Sequence, residues 1–178
     1  ARYIETFTVR RSVNYRKFGQ TAIKYTMFNI IKSIRDNDLH LLGNNLSNEV
    51  QQISESWNGV WNFGLHGMNR KFVKHLLCRI TSYIDNLVGK DTTYQTYYLP
   101  NGKQFEIEHI WANKFEEHTD EFQQINDFQE WRNSGGALIL LPQGTNQSFN
   151  SDKYEDKIEH YIKENTYAQT LHPRSDCR

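Results

Sequence analysis

The sequence predicts an α+β protein: a helical N-terminal domain over residues 1–92, a small module of two strands and a helix over residues 93–165, and a polar C-terminal tail over 166–178. Three observations carry this. Apolar residues recur at helical spacing through the first ninety positions. The pattern then switches, with Phe105 and Ile107 alternating with Glu106 and Glu108, and Ala137-Leu138-Ile139-Leu140-Leu141 forming a compact apolar run. A last helical stripe begins at Tyr154.

In the helical part, Ile23, Met27, Ile30, Ile31 and Ile34 lie on one face of a helix that ends near Asp36-Asn37-Asp38. The stretch 43–48 reads as a loop, with a further helix starting around Ser47. From Met68 to Val88, the residues Phe72, Val73, Leu76, Leu77, Ile80, Tyr83, Ile84 and Leu87 form an amphipathic stripe that Gly89 closes as a C-cap. His75 and Cys78 are expected to pack in this helix, since neither has a partner at metal-site spacing. Asn101-Gly102 is a turn signal before the first strand. Residues 113–133 are polar and read as a long irregular insert, with Trp111 and Trp131 expected as core rings. The second strand stops at Pro142. After a loop, the last helix sets Tyr154, Ile158, Tyr161 and Ile162 on one face, and Asp152 and Glu155 have capping-box spacing. His118, His160 and His172 are expected at the surface, His118 near enough in sequence to His109 to reach its cleft.

Composition narrows the function classes. Lys+Arg and Asp+Glu both total 21, so the chain carries no net charge and is no polybasic binder taken whole. The distribution is uneven. Residues 1–35 hold eight basic groups (Arg2, Arg10, Arg11, Arg16, Lys17, Lys24, Lys32, Arg35) against Glu5, a net +7. Residues 104–130 hold Lys114 against eight acids, a net −7. No apolar run reaches the length of a membrane span, about 18 residues. Cys78 and Cys177 form no CxxC pair, and a reducing, cytoplasmic setting is expected. The chain opens on Ala1 rather than Met and reads as a processed protein or an excised fragment.

Two segments can carry chemistry: Ile107-Glu108-His109-Ile110-Trp111 at a strand end, and Asn146-Gln147-Ser148-Phe149-Asn150 in the loop before the last helix. Glu and Asn offer oxygen to a hard divalent cation. An adjacent unligated His, with an ordinary pKa near 6.5, suits a general base. Together they suit phosphodiester hydrolysis, in which the base activates water and the cation neutralises phosphate charge. One geometric objection stands: neighbours on a regular strand face opposite ways, so Glu108 and His109 share one site only if the strand bends. No HExxH or Ser/His/Asp arrangement favours peptide or ester chemistry.

Glu108-His109-Ile110, then Gly136-Ala137-Leu138-Ile139-Leu140-Leu141, then Asn146, Asn150, Tyr154 and Lys157 resemble an HNH (His-Me finger, ββα-metal) nuclease. The variant resembled is the nuclease domain of GmrSD-type enzymes of bacterial phage defence, with the related phosphorothioate-sensing Ssp-type nucleases. Tyr3-Ile4-Glu5 through Val9-Arg10-Arg11 looks like the segment joining that family's N-terminal nucleotide-hydrolysing domain to its helical and nuclease parts.

The resemblance implies an HNH endonuclease that cleaves or nicks DNA with Mg2+ or Mn2+. It matches His109 to the general base and Glu108 to a metal ligand. It matches Asn146 to the Asn of the metal site and Asn150 to a second Asn that ligates or orients, although Asn150 reads equally as a helix cap. Lys157 matches a helix lysine facing phosphate. Ala137 departs from the family, which usually has an Asn there, and is expected to loosen His109.

DNA is the implied partner, gripped by Arg10, Arg11, Arg16, Lys17 and Lys153, unless the N-terminal arginines dock instead against the nucleotide-hydrolysing domain of the same polypeptide. A non-catalytic DNA-binding or sensor module with a degenerate HNH fold is the competing reading, and Ala137 is its best support.

Overall fold

A computed structural model describes residues 1–99, 101–145 and 152–175 of the chain. It is α+β, and it divides into two compact units, Ala1–Phe63 and Gly64–Arg178. The helix over residues 70–87, grouped by sequence with the N-terminal domain, therefore lies in the second unit.

The first unit is helical: α1 (Arg2–Val13), α2 (Gln20–Ile34) and α3 (Leu39–Gln51), then a 3-10 turn over Asn58–Asn62. Tyr3, Phe7 and Ile30 form its core, with Ile23, Met27, Ile34, Leu46, Val50 and Ile53 packed around them. Two expectations change here. Ile31, placed by spacing on the buried stripe, is 63% exposed. The stretch 43–48 is helix rather than loop. The side chain of Asp38 accepts from the Leu41 N–H at 2.8 Å. That cap starts α3 ahead of the Gly and Asn residues.

The second unit is built on two antiparallel strands, β1 (Phe105–His109) and β2 (Leu138–Pro142). Their register pairs Glu108 with Ile139 and His109 with Leu138. Around them lie α4 (Arg70–Leu87), α5 (Tyr94–Tyr98), α6 (Ile125–Arg132), α7 (Tyr154–Tyr161) and α8 (Thr166–Gln169). Strand, strand and α7 give the expected ββα order. Helix α4 packs against both strands, α5 and α8. Gly89 follows it at a φ of 81°. That left-handed conformation favours glycine at a helix end.

The buried side of α4 is rotated from the apolar stripe read in the sequence. Val73, Leu77, Cys78, Thr81, Ser82 and Asp85 are inside, while Tyr83 and Leu87 stand in solvent. The Asp85 carboxylate is stable there because it is saturated with donors. It accepts from the Tyr97 hydroxyl, from the Thr92 hydroxyl at 3.2 Å and from the Thr166 N–H at 3.1 Å, tying α4 to α5 and α8. Burial opposes its charge, but the Thr166 and Tyr97 hydrogen bonds and Lys90 outweigh it and hold its carboxyl below the ordinary range.

The insert and the tail are also more ordered than their composition suggests. Residues 125–132 form α6, with Phe128 fully buried among Trp111, Phe115, His118 and Phe122. Trp111 packs against the core as expected, but Trp131 is 64% exposed. Residues 166–175 fold onto the sheet instead of trailing. Asn165 caps α8 by accepting from the Ala168 N–H and donates to the Leu140 carbonyl, and Thr166, Ala168, His172 and Ser175 are buried. The Asp152–Glu155 capping box does not form; α7 starts after Lys153, with no side-chain cap.

Candidate active site

The sheet register decides where the two central residues point. Cross-strand partners share a face and successive residues alternate. Glu108 therefore lies on the face of Ile139, which packs with Ile110, Leu141, Tyr161 of α7 and Ala168 of α8. His109 lies on the other face. The strand does not bend to bring them together, and the geometric objection holds.

Glu108 is consequently not an open ligand. It is 3% exposed, and the Lys157 ammonium, 1% exposed, donates to its Oε1 at 2.5 Å. Lys157 also donates to the His109 carbonyl at 3.1 Å. Glu108, read from the sequence as a cation ligand, and Lys157, read as a phosphate contact, meet here as a buried ion pair that pins the end of β1 to α7. Burial pushes the Glu108 carboxyl up, although Lys157 and Arg132 pull the other way. Among the described residues there is no group of three or more His, Cys, Asp or Glu side chains that could hold a metal ion. Asn146 and Asn150 lie outside the described residues.

His109 is half-buried, and its Nε2 is 2.9 Å from Oδ1 of Asn133. The Asn133 Nδ2 donates to the Gln129 carbonyl at 2.7 Å. That bond fixes which end of the amide meets the imidazole. Oδ1 is only an acceptor, so Nε2 carries the proton and Nδ1 is the basic nitrogen. Asn133 is itself anchored, its carbonyl accepting from the Leu65 N–H at 2.7 Å beside the Gly64–Ser134 bridge.

Burial, together with the nearby charges of Arg132, Arg70 and Lys157, lowers the His109 pKa to about 4 against the opposing Asn133 hydrogen bond. The imidazole is neutral at pH 7. Arg132 is held by its Nε donating to the Trp111 carbonyl at 3.0 Å.

Asn133, Arg132 and Arg70 are site residues that the sequence reading misses. The available signal is Trp131-Arg132-Asn133-Ser134 directly ahead of the Gly-Gly turn into β2, where the family's usual Asn is absent a little later, at Ala137. Asn133 supplies an amide to His109 despite Ala137, whose carbonyl accepts from the Ile110 N–H. His118 takes no part: it stacks on Trp111 with ring centroids 4.9 Å apart and pairs with Glu121.

The expected DNA contacts separate into two groups. Arg11 is engaged by Glu55 at 2.7 Å and by the Lys17 carbonyl, and Arg10 by the Ile53 carbonyl and the Trp57 ring, so both serve the first unit's own packing. Arg16, Lys17 and Lys153 are exposed.

A neutral imidazole with a defined tautomer, at the end of the first strand of a ββα module and within the field of Arg132 and Arg70, can accept a proton beside a negatively charged group. Its family agrees with that chemistry. Residues 10–172 match the model of the GmrSD restriction endonucleases, C-terminal domain, and the chain belongs to this family. No curated protein and no solved structure is significantly similar to it. None of the described helices is long and apolar enough to cross a membrane.

Proposed function

We propose that the chain is an HNH-type DNA endonuclease that nicks or cleaves phosphodiester bonds with His109 as general base. The observation that carries this reading is the neutral His109, its tautomer set by Asn133 and its surroundings cationic. Nδ1 takes a proton from water, the resulting hydroxide attacks phosphorus in line, and the P–O bond to the leaving oxygen breaks. Arg132 and Arg70 offset the charge gathering on the phosphate. Dependence on Mg2+ or Mn2+ belongs to the proposal through the family resemblance, and Asn146 and Asn150 are the donors left for such an ion once Glu108 is committed to Lys157. The reading takes the chain as the cutting part of a cytoplasmic phage-defence restriction enzyme acting on modified or foreign DNA, joined to a nucleotide-hydrolysing domain of the same polypeptide.

The direct test is supercoiled plasmid incubated with Mg2+, with Mn2+ and with EDTA. Nicks in the metal arms and none in EDTA are expected; no nicking in any arm would sink the reading in favour of the non-catalytic module.

Two consequences follow from the His109 environment. Asn133→Ala should lower kcat about tenfold with KM nearly unchanged, because one hydrogen bond of roughly 0.5–1.5 kcal/mol is lost from the base and not from the substrate. Asn133→Asp should restore much of the rate, since it keeps the acceptor. The pH–rate profile of kcat/KM should stay flat through pH 6 and fall only towards about pH 4, because the base is active when deprotonated and its pKa is lowered. An acid limb near 6.5 would contradict the described environment.

A further inference from the structure

We propose that the outward face of α2 is a docking surface for an unpaired DNA strand. Helix α2 turns Ile23, Met27, Ile30 and Ile34 towards the core of the first unit. Its opposite side leaves Tyr25 71%, Phe28 61% and Ile31 63% exposed, with Lys24 and Lys32 exposed among them and Arg35 just past the helix end. Lys24, Phe28 and Lys32 follow one another at one-turn spacing and form one stripe, with Tyr25 beside it and the two ammonium groups rooted about 12 Å apart along the axis. Helix α2 contains no acidic residue.

The charge pattern selects the occupant. A second copy packing by a twofold axis would set Lys24, Lys32 and Arg35 against themselves, and like charges opposed in an interface are repulsive. A polyanion meets all three. The two rings then select an unpaired strand, because base faces are hidden within a duplex while single-strand grooves combine cations with aromatic platforms. Arg10 and Arg11, the residues the sequence points to, are occupied within the unit, so the exposed basic character of this segment is carried by Lys24, Lys32 and Arg35 together with Arg2, Arg16 and Lys17. The inference rests on the nuclease reading only for its choice of DNA as partner.

The test is fluorescence anisotropy in EDTA, with a labelled single-stranded oligonucleotide and the matching duplex over a salt series. Lys24→Gln with Lys32→Gln should reduce the slope of log affinity against log salt by about 1.4 on the single strand, roughly 0.7 for each phosphate contact. Tyr25→Ala with Phe28→Ala should weaken single-strand binding about tenfold or more and change duplex binding far less. All four positions are exposed, and thermal melts should match the parent chain. Unchanged single-strand affinity in both double variants would overturn the proposal. So would a concentration-dependent dimer in sedimentation that the ring variants dissolve, since it would give the face to a second copy. His109→Ala separates this inference from the nuclease reading: it should lose nicking yet bind the single strand like the parent chain, whereas α2 double variants that both nick and bind the single strand like the parent would reject the surface while leaving the nuclease reading intact.

Discussion

His109→Ala should abolish plasmid nicking, slowing single-turnover cleavage by about 10²–10⁴-fold, while DNA affinity measured in EDTA stays within about twofold. The size follows from the one job that no neighbour can take over. Lys157 and Glu108 neutralise each other on the opposite face of the sheet, and Asn133 has no basic atom. The guanidinium groups of Arg132 and Arg70 remain to attract phosphate when the imidazole is gone. The fold should survive, because the register around His109 is set by main-chain pairing and by the Lys157 ammonium on the His109 carbonyl. A melting temperature close to the parent's confirms that the loss is chemical. His109→Asn, which can still bond to Asn133 but offers no base, should be as inactive as the alanine variant. Parental cutting rates in either variant would remove His109 from the mechanism.

The elements legible in the sequence are those whose burial is purely apolar. The β2 run shows because every position from Leu138 to Leu141 is fully buried, and α2 shows because its apolar positions recur at helical spacing. The sequence misleads where polar groups are buried in pairs. Glu108 reads as the solvent side of an alternating strand, yet α7 covers that face and supplies Lys157 across 49 residues of sequence, a partner no local pattern reveals. The buried side of α4 differs from its apolar stripe for the same reason, since Asp85 is made acceptable by Tyr97, Thr92 and Thr166. The tail reads as solvent-facing because Thr166, His172 and Ser175 are polar, although all three are buried.

Within the site, His109 is legible from its Glu-His-Ile context. Asn133 is not, because it reaches His109 from the end of α6, 24 residues away, in a segment with no strand or motif of its own. The N-terminal arginines illustrate the converse. A basic pair in sequence says nothing about whether Glu55 or a phosphate will answer it.

The buried pair sets the largest expected effect on stability. Lys157→Met should cost about 3–5 kcal/mol, because it leaves the Glu108 carboxylate inside the second unit with no counter-charge. Burial already pushes that carboxyl's pKa up with Lys157 present, and removing the ammonium pushes it further. A carboxyl with a raised folded pKa binds its proton more tightly in the folded state than in the unfolded one. Its contribution is therefore most favourable in acid and is lost as pH rises through the folded pKa. Denaturant midpoints of Lys157→Met should accordingly fall as pH rises above the ordinary carboxylate range, more steeply than the parent's. Glu108→Gln with Lys157→Met removes both charges and should recover most of the lost stability, giving a coupling energy that neither single change shows. The double variant also separates structure from catalysis. If the pair only anchors β1 to α7, it should nick plasmid below its melting temperature with an unchanged metal requirement and a modestly lower kcat, the cost of losing the Lys157 contact to the His109 carbonyl. If Glu108 instead leaves Lys157 to ligate the ion during turnover, the double variant should be inactive, or need far more Mg2+, while remaining folded.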